Sequence, residues 1–324
     1  MTRVADAADA PDAARTTTTA GWAGEPQPGP GPTSVPAGLW RAARPRQWLK
    51  NVLVLAAPGA AGVLLHRDVV WRVALTLLAF CAMASALYLR NDLADLDADR
   101  QHPRKRHRPI AAGLVPVPVA RTASWLLGLA GLALAAASGR WQVVVALAVY
   151  AVLTTAYTLW FKHQAVLDLL AIAGGFVVRA AAGASAAAVP VSNWFVICTS
   201  FGSLFVVTAK RFAEQSQLGD DAGQVRPTLA LYTTAFLRMV IGVCLAVTSV
   251  AYCLWAFQNA ALHAHRIPWY ELSIVPMVGA LLRYALEVEA GQGDAPEDLF
   301  TSDHTLQVLG AAWAALFALG VYVR

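Results

Sequence analysis

The sequence predicts an all-α protein that crosses a membrane many times. Hydrophobic residues make up 57% of the 324-residue chain and charged residues only 14%, against about 25% charge in an ordinary soluble domain. The apolar residues also fall in blocks of about 20, the length a helix needs to cross a hydrocarbon core. Charges gather between these blocks instead of alternating along amphipathic faces.

The elements follow in order. Residues 1–38 are rich in Ala, Thr, Pro and Gly without apolar periodicity, and read as a disordered tail. Residues 39–324 read as one transmembrane catalytic domain. Nine spans around a central cavity are expected, roughly at 48–65, 70–89, 115–137, 141–160, 165–187, 192–209, 232–257, 269–289 and 304–323. The first is short and contains Pro58 and Gly59, so a kink or break is expected there. Arg41, Arg44, Arg46 and Lys50 precede it. Arg100, Arg104, Lys105, Arg106 and Arg108 follow the second span, Lys162 the fourth, and Lys210, Arg211 and Arg226 the sixth. The other side has little beyond Arg67, Arg140, Arg266 and Arg324. The positive-inside rule then places the N-terminus and these basic loops in the cytoplasm of a cell membrane, and nine spans place the C-terminus outside.

The formal net charge of +5 resides in short loops between apolar blocks. That pattern suits membrane topology and anionic substrates and argues against a nucleic-acid partner. Cys81, Cys198, Cys244 and Cys253 all lie within apolar blocks without a C-x-x-C pair. They read as small buried hydrophobes, neither disulfides nor metal ligands.

The chemistry concentrates after the second span, where Asn91, Asp92, Asp95, Asp97 and Asp99 form N-D-L-A-D-L-D-A-D. At 100° per residue Asp92, Asp95 and Asp99 share a helical face, and Asp97 points elsewhere. Like charges at that spacing repel, and a hard divalent cation reverses the sign. Mg²⁺ favours one or two carboxylates together with waters and substrate phosphates. Asp92, Asp95 and Asp99 are therefore the expected Mg²⁺ ligands and catalytic residues, set against the plainer reading of a solvated acidic loop. The basic run from His102 to Arg108 supplies cations for phosphate oxygens that a metal leaves uncovered.

These residues resemble the UbiA superfamily of membrane prenyltransferases. The likeness rests on N-D-x-x-D-x-x-x-D followed by His102, Pro103, Lys105, Arg108-Pro109-Ile110-Ala111 and Gly113. Within it, the chain over about 40–324 is most similar to enzymes that move phosphoribose onto decaprenyl phosphate for actinobacterial cell-wall arabinan. The segments responsible are Arg44 to Asn51, Leu159 to Val166, Arg179 to Gly183, and Phe201 to Phe205 with Lys210, Arg211 and Glu214. The resemblance implies nine spans, 5-phosphoribosyl 1-diphosphate as donor and a polyprenyl phosphate as acceptor. Lys50, Asn51, Asn91, Lys105, Arg108, Tyr157, Lys162, Lys210, Arg211 and Glu214 become substrate-binding candidates. Aromatic prenyltransferases of the superfamily usually carry a second aspartate-rich motif on the later loop. Here that loop has Glu214 and, further on, only Asp220 and Asp221, which counts against a prenyl-diphosphate donor. An aromatic or quinone-precursor prenyltransferase is the alternative, and a transporter or lipid-binding protein without chemistry the third.

Asp168 and Arg179 lie within the expected fifth span on one face, about 16 Å apart along a helix. A direct pair is excluded at that distance, so each needs another partner. Charges inside a span usually face the bundle interior, and both are expected at a substrate pocket. Lys210 with Glu214, and Arg283 with Glu287, have the i,i+4 spacing of simple pairs.

Overall fold

A computed structural model describes residues 34–102, 105–218, 227–263, 266–292 and 296–323. Most of the N-terminal tail lies outside these residues, as do Pro103, Arg104, Asp220, Asp221, Arg226 and Arg324. The described residues are helical, with no strand. Among the described residues twelve α-helices follow one another: α1 (Val35–Ala42), α2 (Ala56–Ala60), α3 (Arg67–Ala94), α4 (Leu96–Gln101), α5 (Val117–Ala137), α6 (Trp141–Leu159), α7 (Leu167–Ala187), α8 (Asn193–Leu218), α9 (Thr234–Leu262), α10 (Trp269–Glu289), α11 (Pro296–Ser302) and α12 (His304–Tyr322).

Among the described residues, seven helices are long and apolar enough to cross a membrane: α3, α5, α6, α7, α8, α9 and α12. The expected count of nine is not confirmed, and the two differences have distinct causes. The first expected span is not a single helix. Pro45–Leu55 is a 3₁₀ segment, followed by the five-residue α2. Pro58 and Gly59 fall in α2, and Gly62 just after it has φ +70°. The eighth expected span, α10, is a helix with the expected bounds. It contains Pro276 and the charges Glu271, Arg283, Glu287 and Glu289, so its composition falls short of an apolar span. With nine spans unconfirmed, parity does not place the C-terminus.

Interhelix packing relies on small residues and short polar links, as expected where lipid supplies no hydrophobic drive between helices. A Cβ on Gly131 of α5 would lie 3.0 Å from the Ala79 carbonyl of α3, and Ser124 donates to the Ala86 carbonyl at 3.0 Å. Outward faces stay apolar, with Trp125, Leu129, Trp141 and Val152 exposed. Among the described residues three helix starts are capped by side chains, one of them that of α8, where Ser192 Oγ accepts from Phe195 N at 3.1 Å. Thr233 Oγ1 accepts from Phe236 N at 3.1 Å, and Asp303 Oδ1 accepts from Leu306 N at 2.5 Å. Asp303 also pairs with Arg283 at 2.6 Å, joining α10 to α12.

The 3₁₀ segment lies against α7 at unusually short range. A Cβ on Gly183 would sit 1.8 Å from the Val54 carbonyl oxygen, so only glycine allows this approach. One turn away Arg179 donates to Asn51 Oδ1 at 2.7 Å. Runs of 3₁₀ geometry beyond three or four residues are uncommon; these contacts hold one of eleven. The residues on either side of it are held by different helices. Arg44 contacts the end of α3, while Tyr322 at the end of α12 donates to the Gly59 carbonyl at 3.4 Å.

Candidate active site

Antiparallel succession of α3, α5, α6, α7 and α8 brings the end of α3, the end of α6, the start of α7 and the end of α8 to one end of the bundle. Two clusters of charge form there.

The first is built on the aspartate motif. The helix does not run through it unbroken. Asp95, at φ −93° and ψ 9°, ends α3 and begins α4, yet the i→i+4 backbone bonds Asp95 N to Asn91 O and Asp99 N to Asp95 O persist at 2.9 and 2.8 Å. Asp92 and Asp99 are buried, at 3% and 2% exposure, and face one another through a shared guanidinium. Arg108 Nη1 lies 3.2 Å from Asp92 and 2.7 Å from Asp99. Arg44 Nη2 closes on Asp92 at 2.7 Å while its guanidinium lies over the Tyr88 ring. Asn91 Nδ2 donates to Asp95 at 3.2 Å. Asp97 points out, its side chain 91% exposed and 3.6 Å from Arg100, as its helical phase requires. Two buried carboxylates this close would repel without compensation. Arg44 and Arg108 supply it and remain about 30% exposed themselves.

Among the described residues no three His, Cys, Asp or Glu side chains gather into a metal cage. The expected gathering of Asp92, Asp95 and Asp99 around one ion is therefore not preassembled; magnesium is commonly held by one or two carboxylates plus substrate phosphates. The hard oxygen donors of Asp92, Asp95 and Asp99 fit such an ion.

The second cluster is centred on Asp168, which is fully buried. Its carboxylate accepts from the Tyr232 hydroxyl, from Thr228 Oγ1 at 3.4 Å and from Arg211 Nε at 3.4 Å. Arg211 pairs with Glu214 at 2.8 Å, and Lys210 stands 4.0 Å from the same carboxylate. The Tyr232 oxygen in turn accepts from Val166 N at 2.6 Å, which holds Val166, a β-branched residue, at φ +69°. Burial and the Asp168 hydrogen bond push the Tyr232 phenol up from its ordinary range. Gln215 donates to the Tyr232 carbonyl. The segment Pro227–Leu231 and Tyr232 are thereby tied to α7 and α8.

Arg179 and Asp168 do not touch, and each has found other partners. Arg179 donates to Asn51, to the Gly175 carbonyl at 2.7 Å and to Tyr150 Oη at 2.9 Å, with its guanidinium 4.4 Å from the Tyr150 ring centroid. Asn51 also donates to Cys81 Sγ at 3.3 Å. Arg179 and Asn51 thus form an internal clamp. Lys50, Tyr157 and Lys162 are half-buried and Lys105 is exposed. Arg283 pairs with Glu287 at 2.5 Å, as its spacing suggested.

Arg44, Tyr150, Thr228 and Tyr232 were absent from the expected site residues. Arg44 lay within a segment that carried the resemblance but was weighed only for topology. For Tyr232 and Thr228 no spacing points to Asp168.

Seven apolar helices, with buried carboxylates and guanidiniums gathered at one end of the bundle, define a multi-pass membrane protein. The chain belongs to the UbiA prenyltransferase family, whose model matches residues 52–309. It is similar to the decaprenyl-phosphate phosphoribosyltransferase of Mycolicibacterium smegmatis, at 39% identity over 92% of this chain and 96% of that one. A protein of the same name from Corynebacterium glutamicum is 40% identical over 90% of this chain and 89% of its own length. A UbiA homologue from Archaeoglobus fulgidus, solved with GPP and Mg²⁺ bound, shares the fold. Its TM-score is 0.65 at 20% identity, covering 87% of this chain and 98% of that one.

Proposed function

We propose that this protein transfers 5-phosphoribose from 5-phosphoribosyl 1-diphosphate to decaprenyl phosphate or a related polyprenyl phosphate, releasing diphosphate. The observation that supports it most is the end-to-end similarity, near 40% identity, to two proteins bearing that activity in their names. The product would serve as a lipid-linked precursor of cell-wall arabinan.

The bond from ribose C1 to the diphosphate oxygen breaks, and diphosphate leaves with its electron pair. A bond forms between C1 and an oxygen of the acceptor phosphate, with inversion at C1 if attack is in line. That oxygen is already anionic at neutral pH, so no general base is required. Held by Asp92, Asp95 and Asp99, a magnesium ion would neutralise charge on the departing diphosphate. Arg44 and Arg108, already convergent on two of these carboxylates, are placed to share diphosphate oxygens as charge-assisted donors. Asn91 orients Asp95. Lys50, Lys105, Lys162 and Lys210 compensate two anionic substrates as they approach. Arg211, Asp168 and Glu214 hold one another and position the wall of the mouth, and Arg179 does the same for Asn51. The excess of Lys and Arg in the loops at this end supports a cytoplasmic mouth.

The test is direct. Purified protein is given Mg²⁺, labelled phosphoribosyl diphosphate and decaprenyl phosphate, and label is expected in the lipid fraction. If label never enters the lipid, and an aromatic acceptor is prenylated from a prenyl diphosphate instead, the proposal fails.

A further inference from the structure

Ser85, Tyr88 and Asp92 of α3 stand at the i, i+3, i+7 spacing of one helical face. The chain leaving α1 lies along that face and meets all three. Ser85 Oγ donates to the Ala43 carbonyl at 3.0 Å. The Arg44 guanidinium lies 4.9 Å from the Tyr88 ring centroid, and Arg44 Nη2 reaches Asp92 at 2.7 Å. Trp48, in the 3₁₀ segment, donates its Nε1–H to Ser85 Oγ at 3.0 Å. The Ser85 hydroxyl is buried and thus gives one hydrogen bond and takes another. Thr76 on the same helix bonds back to its own turn, at the Arg72 carbonyl, a usual outcome for a hydroxyl inside a helix. Ser85 reaches across to another element instead.

What this hydroxyl holds is an uncommon piece of backbone. Arg44 adopts φ 54° and ψ 60°, the left-handed region that arginine rarely enters. Pro45 follows it, and a residue before proline ordinarily extends. Such a conformation persists only where the surroundings impose it. Local bonds contribute on either side, from Arg44 N to Arg41 O at 3.2 Å and from Gln47 N to Arg44 O at 2.9 Å. Neither ties the turn to α3. Ser85 does so at the peptide that joins Ala43 to Arg44, and so helps set the direction in which the Arg44 side chain leaves the backbone. An extended Arg44 would send the same side chain off in another direction.

We propose that Ser85, with Trp48 behind it, is a positioning residue for Arg44, holding the guanidinium in place before the diphosphate end of the donor arrives. A donor fixed in advance has no reorganisation left to make when charge develops on the leaving group. Ser85, at 1% exposure, is too buried to meet the anion itself and acts through Arg44. The inference rests on the proposed function for the identity of that anion, and its test is separable from the transfer reaction.

The full-length protein in detergent is titrated calorimetrically with inorganic pyrophosphate in the presence of Mg²⁺, as wild type, Ser85→Ala, Arg44→Ala and the double variant. Ser85→Ala should weaken pyrophosphate binding by about tenfold. Once Arg44 is alanine, the same change should weaken it by less than about twofold more, because residues acting through one another do not add. Turnover should be equally selective. In Ser85→Ala the KM for phosphoribosyl diphosphate should rise by about tenfold while the KM for the acceptor phosphate stays, and Ser85→Thr, which restores a hydroxyl, should recover much of the loss. Trp48→Phe removes only the Nε1–H donor and provides a milder variant with the same expected non-additivity should Ser85→Ala fold poorly. Additive losses in the double variants would mean that Ser85 merely supports the fold and overturn the proposal. So would unchanged pyrophosphate binding in Arg44→Ala, or an equal rise in both KM values. Should the wild-type protein transfer no phosphoribose at all, the proposed reaction falls, while the pyrophosphate titrations still decide whether Ser85 acts through Arg44.

Discussion

Asp92 and Asp168 are both buried aspartates paired with arginine at the same end of one bundle, and they are built for opposite ends. Asp92 shares guanidiniums that are about 30% exposed, and its neighbour Asp99 shares one of them. A ligand can reach those arginines and take over their hydrogen bonds. Asp168 is enclosed by Arg211, Tyr232 and Thr228, and Arg211 is itself only 2% exposed. Asp168 itself is fully buried behind these partners. Accessible partners mark a carboxylate for chemistry, and sealed ones mark it for structure.

The contrast can be broken by measurement. The largest effect is expected from Asp92→Asn, which should reduce transfer by about 100- to 1000-fold while the protein remains helical and monodisperse in detergent. Asp168→Asn should act the other way round. It leaves the buried Arg211 with Glu214 alone and costs about 3 kcal/mol of stability, read as a lower thermal midpoint. A normal midpoint with lost turnover would move Asp168 to the reacting side of the comparison.

Tyr232 offers a finer probe. Its phenol is held above the ordinary tyrosine value of 10.0 by burial and by Asp168. The neutral form is therefore favoured in the folded protein. Its stabilising contribution is complete below pH 10 and declines as pH rises from there toward the folded value, because the unfolded chain ionises first. The midpoint of the wild type should fall more steeply above pH 10 than that of Tyr232→Phe. Parallel curves would show that the hydroxyl is not held as described. The smallest effect belongs to Asp97→Asn. That side chain points into solvent within the same nine-residue motif, and its loss should change turnover by less than about twofold, since exposed pairs contribute little.

Much of this was legible in the sequence, and the failures have physical causes. Hydropathy marks helices whose apolar residues are contiguous, and α3 and α5 to α9 followed the expected blocks. It could not separate Pro45–Leu55 from a span, because a window over 48–65 averages apolar residues with Lys50, Asn51, Pro58 and Gly59. It marked the bounds of α10, whose four charges leave its crossing of the membrane unconfirmed. Helical phase demoted Asp97 and joined Asp92 to Asp99, yet gave no sign that Asp95 would sit at a helix break. The pairing of Arg44 with Asp92 crosses 48 residues, and that of Tyr232 with Asp168 crosses 64. Contacts at such separation depend on which helices pack together, and periodicity within one element is silent about that. The separation of Asp168 from Arg179 was legible, because a helix has a fixed rise.

The contact between Gly183 and the Val54 carbonyl bears on how this protein can move. With no side chain between them, α7 and the Pro45–Leu55 segment cannot slide past one another without a steric clash, and Arg179 with Asn51 pins them a turn away. They behave as a single rigid body running from the Arg44–Asp92 contact to the far end of the bundle. Motion that admits a lipid or releases a product would then have to be carried by other seams, such as the apolar contact between α7 and α8 beyond the Asp168–Arg211 pair. A spin-label pair across residues 54 and 183 should hold one narrow distance through turnover, and a pair across 174 and 204 should broaden.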